Sequence, residues 1–362
     1  MENNSKSRNC NVDLLRILAA TGVIILHLNS FSIGGILESA EFSSANSILA
    51  YFGESIFCCS VNVFLLISGY FLVDRSSIQL SKAIKLLLEI SILSVSSYLI
   101  RLVIEKGTFS ILEFILHILP LNYYIILYVA IFVFSPFINW FISELWNSKK
   151  YAVMLKMYII VFMLYPFGVK LLESYLSIKL EGLSTIGILG DQGGYTVVNF
   201  LGMYLIGAMI KKSAFEIRKK YIIIGLLLSW FLLTVWKRYE DFNGLQSVSL
   251  NYNNPLIIGT AILSFMLFLD MDFKSNKIVE YIARASYMVY LLQGYCIHLF
   301  NAISYANRNV LVLLMRVFFI VLVIWLVSIP VNFFFEWGFS KLSKIFLIRK
   351  INTIGNVISM DK

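Results

Sequence analysis

Ten long apolar segments run through this chain and constrain its fold more than any other feature. The segments are continuous rather than alternating, so they predict membrane-crossing helices rather than the strands of a barrel. A helix is favoured because each backbone N–H and C=O in a bilayer needs a partner within the protein. By sequence number, the predicted spans are 12–33, 48–73, 84–104, 121–142, 151–172, 195–210, 221–236, 255–270, 281–300 and 309–335.

The composition excludes a soluble enzyme. Of the 362 residues, 59% are hydrophobic and only 14% are charged, whereas soluble domains have about a quarter of their residues charged. The same balance excludes a disordered chain and an ordinary nucleic-acid-binding protein. The four cysteines lack the spacing of a metal or redox site, so we expect no metal. The fold class is therefore an all-α, polytopic integral membrane helical bundle of about ten transmembrane helices.

The distribution of basic residues predicts the orientation of this bundle. With the N-terminus in the cytoplasm, the cytoplasmic segments hold 20 of the 30 Lys and Arg residues and the outer segments hold six. Positive charge is enriched in the cytoplasmic loops of membrane proteins. We therefore expect an even number of spans with both termini in the cytoplasm, and orientation accounts for most of the net charge of +9.

The first predicted span contains three ionisable residues, Asp13, Arg16 and His27. Such residues are costly within a bilayer and are candidates for function. At about 100° per residue, Arg16 and His27 lie within about 20° of one another on the helix and roughly 16 Å apart along its axis. Asp13 is placed to pair with Arg16 three residues later. This stripe predicts a polar cavity, although His27 alone fits a structural hydrogen bond and Arg16 alone fits an anchor at the headgroups.

The opening from Asn11 to His27, with ten residues between Arg16 and His27, resembles the membrane acyltransferase-3 family, whose first helix carries Arg and His at that spacing. The second span is especially similar to that of bacterial capsular polysaccharide O-acetyltransferases. In family order, the matching motifs are Ser68-Gly69-Tyr70, Leu119-Pro120-Leu121 with Tyr123-Tyr124, Ser135-Pro136, Gly202-x-Tyr204-Leu205-x-Gly207 and Ser286-Tyr287-x-Val289-Tyr290-Leu291.

The resemblance implies an O-acyltransferase that moves an acetyl or other acyl group from cytoplasmic acyl-CoA to a hydroxyl of a cell-envelope polysaccharide. It implies one transmembrane acyltransferase domain over residues 1–345 and a short cytoplasmic tail over 346–362, in a bacterial plasma membrane. The expected partners are acyl-CoA, a glycan or lipid-linked oligosaccharide acceptor and membrane lipid, with neither a metal cofactor nor nucleic acid.

In this interpretation His27 and Arg16 are the catalytic residues. His27 acts as a general base on the acceptor hydroxyl, or takes part in an acyl-enzyme relay across the membrane. Asp13, Glu54 and Tyr70 are expected to orient these groups or to contact the acceptor, and so is a further residue, Gln293.

Arg75, Lys82 and Lys85 are expected to bind the phosphates of the donor from the cytoplasmic side. Each of these cations also fits a purely topological role, and Glu89 is spaced to pair with Lys85 on one helix. The family commonly has Arg-x-x-Arg where this chain has Lys82-x-x-Lys85, and lysine lacks the two-pronged grip of guanidinium on phosphate.

A second departure is at Gln293, where the family often has a histidine. Glutamine forms hydrogen bonds but does not titrate. His298, one turn further along, is a conceivable substitute, although it falls on a different face of the helix.

Three other functions compete with the enzyme. An exporter or flippase of polysaccharide or lipid-linked sugar is the main alternative, but the matched broken helices of many transporters are not evident. A glycan polymerase would carry a longer external loop than 173–194, and a purely structural subunit leaves the stripe of Arg16 and His27 unexplained.

Overall fold

The computed structural model describes residues 9–30, 33–178, 180 and 192–342, and this part of the chain is helical with no β-strand. Its α-helices, in chain order, are α1 (Cys10–Asn29), α2 (Ile36–Ser39), α3 (Ala45–Phe57), α4 (Ser60–Leu72), α5 (Leu80–Glu105), α6 (Ile111–Ile118), α7 (Tyr123–Asn147), α8 (Tyr151–Ile159), α9 (Tyr165–Leu176), α10 (Val197–Ser213), α11 (Lys219–Phe242), α12 (Pro255–Leu269), α13 (Lys277–Arg284), α14 (Ser286–Ile297) and α15 (Val310–Leu342).

Each of the ten predicted apolar segments contains helix, which confirms the all-helical class. Seven helical stretches in the described part of the chain are long and apolar enough to cross a membrane. They are α1, α3 with α4, α5, α7, α8 with α9, α11 and α15. The other three segments are shorter, because α10 has 17 residues, α12 has 15, and the ninth segment is divided between α13 and α14. The total of about ten spans and the cytoplasmic placement of the termini remain predictions.

The chain forms two compact units, each built from two separate stretches of sequence. Unit 1 comprises Met1–Ile67 and Ala214–Asn332, and unit 2 comprises Ser68–Ser213 and Phe333–Lys362. The predicted tail over 346–362 lies outside the described residues. The assignment of 1–345 to one domain stays a prediction.

Unit 1 is organised around α1, which contacts α3, α12, α13 and α14. The Asn9 side chain begins this helix by accepting hydrogen bonds from the backbone N–H groups of Asn11 and Val12. Gly22 allows close packing, since a Cβ there would lie 2.3 Å from Cδ1 of Phe57 and 2.8 Å from Oγ of Ser60. The buried side chains of Ile24 and others on α1 pack into a core with residues from α14 and α15. Apolar burial therefore fixes the helix that carries the ionisable stripe.

Unit 2 is held by contacts among α5, α7, α8 and α10. A five-residue π-helix at Ile160–Leu164 joins α8 to α9. Within it Met163 packs on α10 at Gly202, where a Cβ would lie 2.6 Å from the methionine sulfur. The phenol of Tyr158 donates to the carbonyl oxygen of Val198 at 2.8 Å. These contacts fix α10, which supplies residues to the site described below.

Candidate active site

The stripe of ionisable residues lies on α1 in unit 1. Nη1 of Arg16 donates to Oδ1 of Asp13 at 2.8 Å, which confirms the pairing predicted from their spacing. The Asp13 carboxylate is buried, and the Arg16 side chain is 28% exposed. Because α1 is continuous from Cys10 to Asn29, the helical spacing places Arg16 and His27 on one side of it. Arg16 therefore compensates the buried negative charge of Asp13 near the start of α1, whereas the His27 imidazole lies near the end of this helix.

The polar neighbour of the His27 ring is the side chain of Gln293 on α14. Gln293 is buried, and its Nε2 donates to the carbonyl oxygen of Tyr290 at 3.3 Å. Within the described part of the chain, Nδ1 of His27 and Oε1 of Gln293 are buried and neither has a partner that meets hydrogen-bond geometry, so the contact between the two side chains is looser than a well-formed hydrogen bond. Neutral imidazole has one nitrogen that accepts a proton, so the His27 ring is chemically able to act as a base.

Glu54 lies on α3, and its side chain interacts with Asn29, two residues beyond His27. The Asn29 amide also donates to the carbonyl oxygen of Ala50 at 3.1 Å, which ties the end of α1 to α3. Among the residues that the structure describes, one carboxylate oxygen of Glu54 is buried and has no hydrogen-bond partner. The direct neighbour of His27 is thus Gln293, and the predicted role of Glu54 in orienting His27 stays a prediction.

A charged network on α11 approaches Glu54 within unit 1. Glu54 interacts electrostatically with both Lys237 and Asp241. Nζ of Lys237 lies 2.6 Å from Oδ1 of Asp241, and the Tyr51 phenol donates to Oδ2 of Asp241 at 2.8 Å. Lys237 is one of the six basic residues of the predicted outer segments, and no partner was predicted for it. Its spacing of four residues from Asp241 was the signal that could have identified the pair.

The three cations predicted to bind the donor come together in unit 2. The charge of Lys82 interacts with the charges of both Arg75 and Lys85, and we name these three residues the cation cluster. Nζ of Lys85 lies 3.6 Å from Oε1 of Glu89, which confirms the predicted pair on α5. Arg75 and Lys82 are exposed, whereas Glu89 is buried. Excess positive charge at an accessible position suits a ligand that carries several negative charges.

Arg75 is positioned through its backbone by Asn139 on α7. Nδ2 of Asn139 donates to the carbonyl oxygens of Leu72 at 2.7 Å and Arg75 at 2.9 Å. Oδ1 of Asn139 accepts from the Tyr204 phenol at 2.7 Å. Gly69 is required nearby, because a Cβ there would lie 2.0 Å from the backbone oxygen of Tyr204. Residues of α4, α7 and α10 therefore support one loop that carries Arg75.

A cavity of about 720 Å³ opens beside this loop in unit 2, and we name it the α7 cavity. Its wall is formed by residues 73–76, by Lys212 and by one face of α7. The α7 residues on the wall are Pro136, Asn139, Trp140, Ser143, Glu144 and Asn147. Nζ of Lys212 lies 3.8 Å from Oδ1 of Asp74 across this wall. Of the predicted site residues, only Arg75 lines the cavity.

Tyr70 belongs to unit 2, at the end of α4. Nζ of Lys211 lies 4.8 Å from the centre of its ring, in a cation–π contact. The predicted role of Tyr70 toward the acceptor stays a prediction.

The order of the sequence motifs agrees with the comparison to protein families. A family model described as an acyltransferase domain matches residues 10–331, which is most of the chain. The chain belongs to this acyltransferase family. No curated protein and no solved structure matches it. With its seven membrane-length helices, it is a multi-pass membrane protein with an acyltransferase domain.

The acyltransferase domain contains all nine predicted site residues, divided between the units. Unit 1 holds Asp13, Arg16, His27, Glu54 and Gln293. Unit 2 holds Tyr70, Arg75, Lys82 and Lys85. The conceivable substitute His298 is exposed at the end of α14, while Gln293 is buried beside His27. The glutamine therefore occupies the position that makes contact with the histidine of this acyltransferase.

Sequence reasoning missed Asn139, Trp140 and Lys212. Asn139 and Trp140 lie in the apolar helix α7, where a polar asparagine among apolar residues was the one feature of the sequence that could have indicated a site. Lys212 was counted only among the basic residues of the predicted cytoplasmic segments, which orient the bundle. Within residues 9–30, 33–178, 180 and 192–342, no three His, Cys, Asp or Glu side chains are grouped to hold a metal ion.

Proposed function

We propose that this membrane acyltransferase moves an acetyl or other acyl group from acyl-CoA to a hydroxyl of a cell-envelope polysaccharide, in a bacterial plasma membrane. The observation that carries the proposal is the half-buried His27 imidazole on α1, which lies beside the side-chain amide of Gln293. An alcohol needs a base because it is a poor nucleophile until its proton leaves. The similarity of residues 61–72 to capsular O-acetyltransferases supports a polysaccharide as acceptor.

In the proposed reaction, His27 takes the proton of the acceptor hydroxyl as the oxygen attacks the thioester carbonyl. The new carbon–oxygen bond forms, the carbon–sulfur bond breaks, and the thiolate of CoA takes up the proton held by the imidazolium. Gln293 serves as the neighbour that orients the ring. The charge of the Asp13–Arg16 pair is already compensated within α1, so we assign the proton transfer to His27 alone.

The donor is proposed to bind through its phosphates at the cation cluster. Lys82 interacts with two other positive charges, and this repulsion is relieved when an anion binds. The same residues are predicted to face the cytoplasm by the distribution of basic residues, which is the side that supplies acyl-CoA. Lysines give charge without the paired hydrogen bonds of arginine, so we expect binding that weakens with salt.

Proton NMR of surface polysaccharide tests this function. Polysaccharide is compared from cells that lack the gene, cells complemented with the wild type, and cells complemented with His27→Ala. We expect O-acyl signals only with the wild type, at equal levels of membrane-inserted protein. His298→Ala is the matched control, because this histidine is exposed at the end of α14 and should restore the signals fully.

Two results would contradict the proposal. If the gene makes no difference to the O-acyl signals, the protein does not acylate this glycan. If the acylation per sugar is unchanged but less polysaccharide reaches the surface, the exporter is favoured instead.

A further inference from the structure

The α7 cavity has the dimensions of a small-molecule site but is not an anion site by itself. Its volume of about 720 Å³ falls within the range of ligand pockets, about 300–1,000 Å³. Arg75 and Lys212 on its wall are balanced by Asp74 and Glu144. A wall with equal numbers of positive and negative groups favours a neutral ligand that forms hydrogen bonds.

The face of α7 offers this cavity an aromatic surface with polar groups one turn further along. Trp140 lines the cavity and is 49% exposed. Ser143, Glu144 and Asn147 follow on the same face, because positions three, four and seven residues apart align on a helix. The side-chain amide of Asn139 forms hydrogen bonds with Leu72, Arg75 and Tyr204. It therefore holds the wall of the cavity together and is not available to a ligand. A flat base with donors and acceptors at its edge matches this arrangement.

Arg75 joins the cavity to the cation cluster. It lines the cavity and interacts electrostatically with Lys82. A ligand whose phosphates are bound by the cluster would therefore place its neighbouring group at the cavity. In CoA, the diphosphate joins the pantetheine arm to 3′-phosphoadenosine, so the purine lies on the side of the phosphates opposite that arm.

We propose that the α7 cavity binds the purine base of the acyl-CoA donor, with the base stacked on Trp140 and its edge facing Ser143 and Asn147. This inference rests on the proposed acyl-CoA donor. The competing role for Trp140 is that of an interfacial anchor, which is common for tryptophan at membrane surfaces. An anchor would affect every donor equally, whereas a base-binding residue affects only donors that carry a base.

Two donors distinguish these roles in the purified, membrane-reconstituted protein. Acetyl-CoA carries adenosine, and S-acetyl-phosphopantetheine lacks it. We expect Trp140→Ala to raise KM for acetyl-CoA about tenfold, since stacking on an aromatic residue contributes about 1–3 kcal/mol per base. KM for S-acetyl-phosphopantetheine should stay within twofold. Trp140→Phe should recover most of the difference, because it keeps an aromatic face.

Trp337 provides the matched control, since it is also in unit 2 and is 50% exposed, but it does not line the cavity. Trp337→Ala should leave the ratio of the two KM values unchanged. The proposal is overturned if Trp140→Ala changes both KM values equally or changes neither.

Equilibrium binding separates failure of the pocket from failure of the proposed function. CoA and phosphopantetheine are titrated into the wild type and Trp140→Ala by calorimetry. Weaker binding of CoA alone supports the pocket even if no acyl transfer is found. Equal CoA binding by both variants overturns the pocket, whereas acyl transfer by the wild type would still stand.

Discussion

His27 in unit 1 and Arg75 in unit 2 both belong to polar sites, but the two side chains differ in exposure and in what positions them. His27 is partly enclosed by packed helices, its Nδ1 is buried, and its side chain lies beside the amide of Gln293. Arg75 is exposed, and its loop is fixed by hydrogen bonds from Asn139 to backbone carbonyls.

The difference shows how each site would respond to change. A buried polar group that loses its partner finds no replacement in water, so replacing either residue has a large effect on stability or activity. Exposed charges share their ligand and are screened by salt, so each contributes modestly. The predictions below test this contrast, beginning with the largest effect.

Replacing His27 by Ala should lower kcat by about 10²–10⁴-fold, because a positioned general base contributes that much. The measurement is transfer of labelled acetyl from acetyl-CoA to polysaccharide by reconstituted protein, with KM determined separately. KM for acetyl-CoA should change little, since the donor is assigned to unit 2. A comparable loss from Arg75→Ala in kcat, rather than in KM, would break the contrast between the units.

Replacing Gly69 by Ala should reduce the free energy of unfolding by about 3 kcal/mol, at the upper end of the usual cost of overpacking. The added Cβ would lie 2.0 Å from the backbone oxygen of Tyr204, and backbone of α10 cannot move aside cheaply. Thermal unfolding in detergent measures the change. Gly168→Ala on α9 is the control, because no atom lies within 4 Å of its added Cβ. Equal stability of the two variants would show that α4 and α10 are not closely packed at Gly69.

Replacing Asn139 by Leu should destabilise the protein by about 2 kcal/mol, because Tyr204 and two carbonyls lose a buried partner. A double-mutant cycle with Tyr204→Phe should give a coupling of about 1 kcal/mol. KM for acetyl-CoA should also rise, since the Arg75 loop loses its support.

Asn243→Leu is the surface control and should change stability by less than about 0.5 kcal/mol. Its exposed side chain donates to the carbonyl oxygen of Tyr239 at 2.8 Å, at the end of the same helix α11. If Asn139→Leu left KM unchanged while lowering stability, the support of Arg75 would be irrelevant to donor binding.

Replacing Lys82 by Arg should lower KM for acetyl-CoA about two- to fourfold, the smallest effect, because guanidinium offers two parallel hydrogen bonds to a phosphate. KM measured between low and high salt should rise in both proteins, with kcat unaffected. Lys156→Arg is the control, since this lysine of α8 is outside the cation cluster. If the KM of Lys82→Arg does not depend on salt, the donor phosphates do not bind at Lys82.

The sequence by itself determined the features that depend on local spacing. The continuous apolar segments fixed helices, because a helix satisfies its own backbone in a bilayer. The pairs of Asp13 with Arg16 and of Lys85 with Glu89 followed from separations of three and four residues. The motif order also predicted the acyltransferase family that the family model supports.

The tertiary structure alone decided which distant residues meet. Gln293 is separated from His27 by most of the chain, and no periodicity relates α14 to α1. Asn139 on α7 bonds both the backbone of Arg75 and the phenol of Tyr204, and Gly69 lets α4 lie close to α10 at Tyr204. A local pattern specifies the face of a helix but not the helix that covers it, since packing depends on the shapes of all the side chains at once. The cavity beside α7 is a consequence of that packing.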